Sequence, residues 1–536
     1  MGARVFKVLA FGLAVSLLAG CTAQKKGQEN PTAANVETVE ETKLPIVEQP
    51  TKFTIWCNNF ASRVLTNYGE QESWKEVQKR TGIELEFIHP TGAASEQFNI
   101  MMASGDYPDI IYYSWGDSLS KYVDKKVALS LNSYLGIMPN LRKLMEANET
   151  VAKQIKLADG TIAYFPQINS LTEYNYWDGY FVRQDWLDAV NEQPPETIDD
   201  WYRVLTAFKG KDLNGNGLDD EIPFTAGKTM MPTAFVGAFG ILDDFYINPE
   251  TEKVSFGALD EGFKEYVTTM HKWYSEGLID GEYLNVDQKL QDEKMLNNLV
   301  GAAYMDNNNS MINYLSNKPI PEFDLTAVPM PLAKDGKRYY SRPGVKDVVS
   351  KNGGIITSSC SDPITAIKLL DYLYSDEACV LFNWGIENES YTVENGEYKY
   401  TDQILHNPDN KTPYDAIAKY CINQGFMKVY DIKAIRGLDS TLPESIKNKK
   451  TVSDEYARET DKTLVLPSVS LTPEEQDEYS KIKSEIRTYV DEMKAKYIMG
   501  KESLDSYDTF VENLKKMKAE RAVEIMQTAY ERYLKS

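Results

Sequence analysis

The sequence predicts an α/β protein with a helical C-terminal region, and two patterns carry that prediction. From residue 52 onward, short runs that alternate apolar and polar residues follow one another with runs that are apolar at helical spacing. The last 65 residues then read as helix almost throughout. With 536 residues, and about 100–200 residues per domain, the chain has room for about two to four units.

The elements follow in order. Arg4 and Lys7 precede an apolar stretch at 8–18, and small residues lead from there to Cys21, which is the layout of a secretion signal over 1–20. The apolar stretch is too short for a transmembrane helix, which needs about 20 residues for about 30 Å of hydrocarbon. Residues 21–50 are rich in Glu, Lys, Gln, Thr and Pro and are expected to form a disordered tether. Lys52-Phe-Thr-Ile-Trp56 alternates as a strand. A helix at 73–80 ends at Thr81-Gly82 and a strand follows at 83–89. A helix at 95–103 turns at Gly105-Asp106 into a strand at 109–114. This β-α-β-α-β series predicts a mainly parallel sheet covered by helices.

A second α/β region starts near residue 160. It holds strands at 162–166 and 180–183, a helix from 185, a helix at 198–209, and a buried strand at 299–305. The helix predicted at 261–276 places Phe263, Tyr266, Val267, Met270 and Trp273 on one side. A strand at 353–357 and a helix at 362–384 follow. Thr472-Pro473-Glu474-Glu475 is a capping box with proline at the first helical position, and Tyr479, Ile482, Ile486, Tyr489 and Met493 repeat behind it. Helices at 505–517 and 520–534 close the chain.

Composition excludes several functions. The formal charge is −22, and removal of the signal leaves about −24, a surface that repels nucleic-acid phosphates and anionic lipid head groups. Three histidines (His89, His271, His406) lie far apart, and Cys57, Cys360, Cys379 and Cys421 are scattered without metal-like spacing, so neither zinc chemistry nor a multi-histidine site is expected. Pairing among those four cysteines stays open. No nucleophile elbow or phosphate loop is present. Tyrosine (34) exceeds phenylalanine (19), and a tyrosine offers a flat face with a hydroxyl, as sugar-binding surfaces require.

One loop carries metal chemistry. In Asp212-Leu-Asn-Gly-Asn-Gly-Leu-Asp-Asp-Glu221, oxygen side chains alternate at Asp212, Asn214 and Asn216 and Gly217 permits the bend. The Leu218 carbonyl, Asp220 and Glu221 complete a hard-oxygen set suited to Ca²⁺ in a structural role. The loop departs from an EF-hand, because Pro223 stands where the bidentate glutamate belongs.

Ligands in open α/β sheets sit beyond the carboxyl ends of strands. That rule selects Asn58 and Asn59 after the first strand, and Tyr113, Trp115 and Asp117 after the third. It also selects Tyr176 and Trp177 within Tyr174-Asn-Tyr-Trp177, and Asp306 and Asn307 after the strand at 299–305. Aromatic faces would cover the apolar face of a pyranose while Asp, Asn and Arg take its hydroxyls. Trp186, Trp273 and Trp384 are expected in the core.

The order of features from Lys52 onward resembles the extracellular solute-binding proteins of ABC importers, in the sugar-binding branch that includes maltose-binding protein. The matching pieces are Phe53-Thr-Ile-Trp56, Thr81-Gly82-Ile83 and Ser104-Gly-Asp-Tyr-Pro-Asp-Ile-Ile111, followed by Arg183-Gln-Asp-Trp-Leu187 and Pro195-Glu-Thr-Ile198. Glu276-Gly-Leu-Ile-Asp280, Trp384-Gly-Ile-Glu387 with Ser390-Tyr391, and Gln527-Thr-Ala-Tyr-Glu-Arg-Tyr533 complete the set. The calcium loop resembles that of the alginate-type oligosaccharide binders, and Leu18-Ala-Gly-Cys21 resembles a bacterial lipobox.

The resemblance implies a periplasmic-binding-protein-like fold, with two α/β lobes joined by crossing hinge strands that close on ligand. The expected division is 51–166 with 341–395 as the first lobe and 167–340 with 396–536 as the second. Arg342 and Tyr391 join the ligand candidates from the interlobe crossings. Cys21 would carry a diacylglycerol, holding a monomeric binding protein on the outer face of the cell membrane beside its permease, as on a Gram-positive-type surface. The function implied is oligosaccharide capture for import, with neutral oligosaccharide as first choice and no catalysis. The alternatives are a surface glycan sensor without transport and a glycoside hydrolase.

Overall fold

The computed structural model describes residues 38–116, 118–169, 176–342, 344–409, 411–422 and 425–536. The signal, Cys21 and Asp117 lie outside the described residues. Two sheets organise the chain, which passes between them three times.

The first sheet begins with β1 (Thr51–Trp56), β2 (Ile83–Ile88) and β3 (Ile110–Ser114), all parallel, with β1 in the middle. In β2, Ile83, Leu85 and Phe87 turn inward while Glu84 and Glu86 face water, the period-2 pattern of a half-buried strand. The crossover helices Glu72–Thr81 and Ala94–Ser104 each stop at a left-handed glycine, Gly82 (φ 77°) and Gly105 (φ 74°). Next comes β4 (Phe165–Asn169), three residues later than the strand expected at 162–166.

The second sheet contains β5 (Asp178–Arg183), β6 (Ile222–Ala226), β9 (Val300–Asp306) and β10 (Leu325–Val328), in the order β10-β5-β9-β6. A hairpin of β7 (Phe245–Asn248) and β8 (Lys253–Phe256) stands apart from it. The chain then returns: β11 (Val349–Ile356) inserts between β4 and β3, antiparallel to both. A hairpin of β12 (Tyr391–Glu394) and β13 (Glu397–Tyr400) follows, and β14 (Val429–Tyr430) adds to β4 in parallel, giving the order β14-β4-β11-β3-β1-β2.

Each sheet has its own core. Phe53, Ile55, Trp74, Ile110, Ile355 and Leu370 pack in the first lobe. Trp186, Trp201, Phe224 and Trp273 pack on one face of the second sheet, which the C-terminal helices cover through Ile486, Phe510 and Ile525. Phe181, Met305, Tyr314 and Phe323 fill its other face. The Thr472 capping box forms as predicted: the Thr472 hydroxyl accepts from the Glu475 N–H and the Glu475 carboxylate accepts from the Thr472 N–H, opening the helix Pro473–Ile498. The remaining two helices are Tyr507–Lys516 and Ala519–Lys535. No described helix is long and apolar enough to cross a membrane.

Three expectations need correction. The second lobe does not begin at 396, because Ile422, Phe426 and Met427 are buried in the first lobe's core and β14 extends its sheet. The chain re-enters the second lobe only with the helix Glu444–Glu459, which packs on β5 and β10. The helix expected at 362–384 is two helices, Pro363–Tyr372 and Asp376–Asn383, because the Ser375 hydroxyl caps the second by accepting from the Ala378 N–H. Residues 38–50, assigned to a free tether, are strapped to the first lobe. The Val39 N–H donates to the Gly136 carbonyl, the Ile46 N–H to the Thr81 carbonyl, and the Arg142 guanidinium to the Val39 carbonyl, each at 2.9 Å. None of the four inner cysteines forms a disulfide.

Candidate functional site

Strand directions bring two edges together. In the first sheet β1, β3, β4 and β14 run one way and β11 the other, so Asn169, Tyr430 and the start of β11 share an edge. In the second sheet β9 runs opposite to β5, so Asp306 and Asp178 also share an edge. A cleft of about 610 Å³ lies between these edges. The first lobe contributes Gln167, Asn169, Ser350, Lys351 and Tyr430, and the second contributes Trp177, Asp306, Tyr340 and Arg342.

The second-lobe wall is built on a buried charge. Asp178 is 1 % exposed; it accepts from the Tyr340 hydroxyl at 2.5 Å and from Arg342 Nη1 at 3.1 Å. Burial, and then the Asp178 charge, push the Tyr340 phenol well above its ordinary range, so it stays a donor. Arg342 keeps 46 % of its side chain exposed, leaving guanidinium surface for a ligand. Asp306 ends β9, where its carboxylate accepts from the Asn308 and Asn309 N–H groups. Burial raises its carboxyl above the usual value while those donors offset part of the shift. Trp177 is half-buried and fixed through its carbonyl, which accepts from the Asn307 N–H. Across the cleft, the Tyr430 hydroxyl is buried without a hydrogen-bond partner. Gln167 donates to Asn169, and exposed Phe60 stands at the rim, edge-on to Tyr112 and beside Gly425. The site therefore offers flat rings and planar hydrogen-bonding groups from both lobes, the set that suits a hydroxylated ring.

Of the residues selected from sequence, Trp177, Asp306 and Arg342 come together in the cleft. Asn58 and Asn59 follow β1 on the same sheet edge; Asn59 holds its own turn, donating to the Leu65 carbonyl and accepting from the Ala61 N–H. Tyr113 stacks on Phe98 at 3.9 Å, and Trp115 is core, donating through its indole N–H to the Gly353 carbonyl. Tyr176 is buried edge-on against Tyr340, behind the cleft wall. Asn307 is fully buried, bonded to Ser453 and Asp454. Tyr391 belongs to a separate cluster with Trp384 and Tyr398. Sequence reading missed Gln167, Asn169, Ser350, Lys351, Tyr340 and Tyr430. Gln167 and Asn169 would have emerged from running the fourth strand three residues further. Tyr430 lies on a two-residue strand with no periodicity to reveal it.

The loop at 212–221 lies apart from the cleft, after the helix Ile198–Phe208. Asp220 accepts from the side chains of Asn214 and Asn216, Asp212 accepts from the Gly217 N–H, and Gly215 and Gly217 take left-handed φ of 73° and 80°. Glu221 Oε1 accepts from the N–H groups of Leu213 and Asn214, whereas its Oε2 is buried with no donor. Leu218 is exposed. Among the described residues no group of three or more His, Cys, Asp or Glu side chains is poised as a metal site, so asparagine and carbonyl oxygens must complete any donor set here.

Known proteins share this architecture. The fructooligosaccharide ABC transporter substrate-binding protein FusA of Streptococcus pneumoniae is 24% identical over 535 residues, 97% of this chain and 96% of that protein. The polygalacturonan/rhamnogalacturonan-binding protein YtcQ of Bacillus subtilis is 22% identical over 471 residues, 85% of this chain and 87% of that one. Among solved structures, the alginate-binding protein AlgQ2 without calcium ion superposes with TM-score 0.69 at 25% identity, covering 90% of this chain and 99% of that chain. FusA of S. pneumoniae in complex with kestose gives 0.72 at 22% identity, covering 91% and 99%. The sequence profile of the bacterial extracellular solute-binding protein family spans residues 66–378, more than half of the chain, and the protein belongs to that family of binding proteins rather than to the glycosidases.

Proposed function

We propose that the protein captures an oligosaccharide in the cleft between its lobes and hands it to the permease of an ABC importer. The observation that carries this is the pairing of Trp177, Tyr340 and Arg342 on one wall with Gln167, Asn169 and Tyr430 on the other. Closure on a ligand touching both walls stabilises the closed form, which the permease would recognise. The relatives named for fructooligosaccharide and polygalacturonan point to the same ligand class. Arg342 is already committed to Asp178, which favours a neutral oligosaccharide over a uronate in this cleft. Asn58, Asn59 and Tyr113 are candidates for the far end of a longer chain. Cys21 is the proposed lipid anchor, with the protein monomeric on the outer face of the membrane.

Replacing Trp177 by alanine removes a stacking face and is expected to weaken binding about ten- to a hundredfold, read by calorimetric titration against a panel of neutral oligosaccharides. An unaltered affinity for the bound sugar would remove the cleft from the mechanism. Loss of uptake on gene deletion separates an importer component from a surface sensor.

Asp212, Asn214, Asn216, the Leu218 carbonyl, Asp220 and Glu221 are the proposed Ca²⁺ ligands, and the orphaned Glu221 Oε2 supports the fit. Calcium would supply charge compensation and stiffen the loop, at a distance from ligand chemistry. At a hundredfold excess over Kd a bound ion adds about 2.7 kcal/mol, so the melting temperature should rise in Ca²⁺ relative to chelator, and Asp220→Ala should erase the difference. Equal melting in Ca²⁺ and chelator would refute the metal.

A further inference from the structure

A second cavity, of about 510 Å³, meets the cleft at Val345, which lines both. Its walls come from all parts of the fold: Thr150 from the first lobe, Lys346 from the crossing segment, Tyr176, Arg458 and Lys462 from the second lobe, and Tyr530 and Tyr533 from the last helix. Among the described residues its lining carries three cations and no carboxylate, a local reversal in a chain of net charge −22.

Both ammoniums are held by carbonyls and a ring. Lys346 Nζ donates to the Val465 carbonyl at 2.8 Å. Lys462 Nζ donates to the carbonyls of Arg458 and Thr460 at 3.1 and 3.2 Å and lies 5.0 Å over the Tyr176 ring. The acids nearest this region also hold partners outside it. Asp461 pairs with Lys337 at 3.0 Å, Asp347 accepts from Ser468 and Gln154, and Glu149 pairs with Lys153 at 2.9 Å. Burial lowers the Lys346 pKa; the Asp461 and Asp347 charges oppose that shift and the Lys462 charge adds to it. A carboxylate entering the cavity would add a partner for these cations, and the half-buried rings of Tyr530 and Tyr533 are open to the body that carries it.

We propose that this cavity is a second binding site, distinct from the cleft, for a hydroxylated ring bearing a carboxylate. Lys346, Lys462 and Arg458 take the charge; Tyr530 and Tyr533 take the ring, while the buried Tyr176 backs Lys462. An occupant would touch both lobes and the crossing segment at once, and Tyr176 would link it to Tyr340 of the cleft.

The test is calorimetric titration of the full chain with galacturonate, galactose and inorganic phosphate at low salt. Galacturonate should bind, galactose should not bind in a lysine-dependent way, and phosphate should bind more weakly than galacturonate. The doubly substituted Lys346→Gln/Lys462→Gln protein should lose about tenfold or more in galacturonate affinity, and added salt should weaken binding to the unaltered protein. Trp177→Ala should leave galacturonate binding in place, which separates this site from the cleft. If the double variant melts early because Lys462 no longer satisfies the helix-end carbonyls, Lys346→Gln alone and the salt dependence decide. No galacturonate binding at low salt, binding indifferent to both lysines, or binding lost with Trp177 would each overturn the proposal. Phosphate binding as tight as galacturonate would overturn the role of the ring.

Discussion

Asp178→Ala will cost the protein both stability and ligand. The carboxylate is buried, and it receives the Tyr340 hydroxyl and the Arg342 guanidinium on its two oxygens. Removing one partner of a fully buried pair costs about 3–5 kcal/mol. Arg342 is nearly half exposed and water compensates it, so a loss of about 1–3 kcal/mol is expected, read by denaturant unfolding of the second lobe. The effect on binding should be larger than the effect on stability. Tyr340 and Arg342 line the cleft, and Asp178 sets the direction of both donors. Asp178→Ala should therefore weaken oligosaccharide binding beyond the Trp177→Ala level, while Asp178→Asn, which keeps an acceptor oxygen, should recover part of it. Asp178→Ala with unchanged affinity would show that the carboxylate serves packing alone.

Much of the fold was legible because it rests on local periodicity. β2 alternates inward and outward residues, the helix Glu261–Ser275 buries the five residues read from its sequence, and Thr472 caps its helix through the bonds its capping box implies. What escaped depends on distant contacts. β14 has two residues, and its pairing with β4, together with the burial of Ile422, Phe426 and Met427 in the first core, ties its segment to the first lobe. The strap at 38–50 has the polar composition of a linker and is fixed by backbone bonds to Gly136 and Thr81, which composition does not encode.

The candidate site was legible to the extent that strand ends could be located. Asp306 ends β9 and Trp177 lies in the stretch beyond β4, so the carboxyl-end rule reached both, although Trp177 itself stands at the amino end of β5. The same rule selected Trp115 and Asn307, yet both face inward: Trp115 donates to a strand carbonyl and Asn307 ties β9 to the helix Glu444–Glu459. A strand's end fixes a residue's position, whereas the side chain's direction depends on its partners across the fold. Asp178 shows the converse. It opens the apolar strand β5 without a motif, and its importance appears only when Tyr340 and Arg342 arrive from 162 and 164 residues away.

The largest loss of stability is expected from Asp243→Ala. Asp243 receives Lys494 Nζ at 2.7 and 2.8 Å and Arg487 Nη2 at 2.9 Å, so one carboxylate docks the long helix Pro473–Ile498 against the β7 corner. Burial opposes the Arg487 charge, yet Asp243 and Asp491 hold the guanidinium above its ordinary value. Lys494 is almost fully buried, and after the substitution only Asp491, at 3.4 Å, remains to balance it. An uncompensated buried ammonium costs about 3–5 kcal/mol. The helix should loosen from the second lobe, seen as earlier denaturant unfolding and faster proteolysis within 473–498. The physical cause can be isolated by removing the stranded charge as well. Because a buried ion pair often exchanges for apolar groups at little cost, Asp243→Leu combined with Lys494→Met should lose far less than Asp243→Ala alone. If the single substitution costs under about 1 kcal/mol, or if the pair costs as much as the sum of its parts, the helix is held by its apolar face through Tyr479, Ile482, Ile486 and Val490 and the ion cluster is incidental to docking.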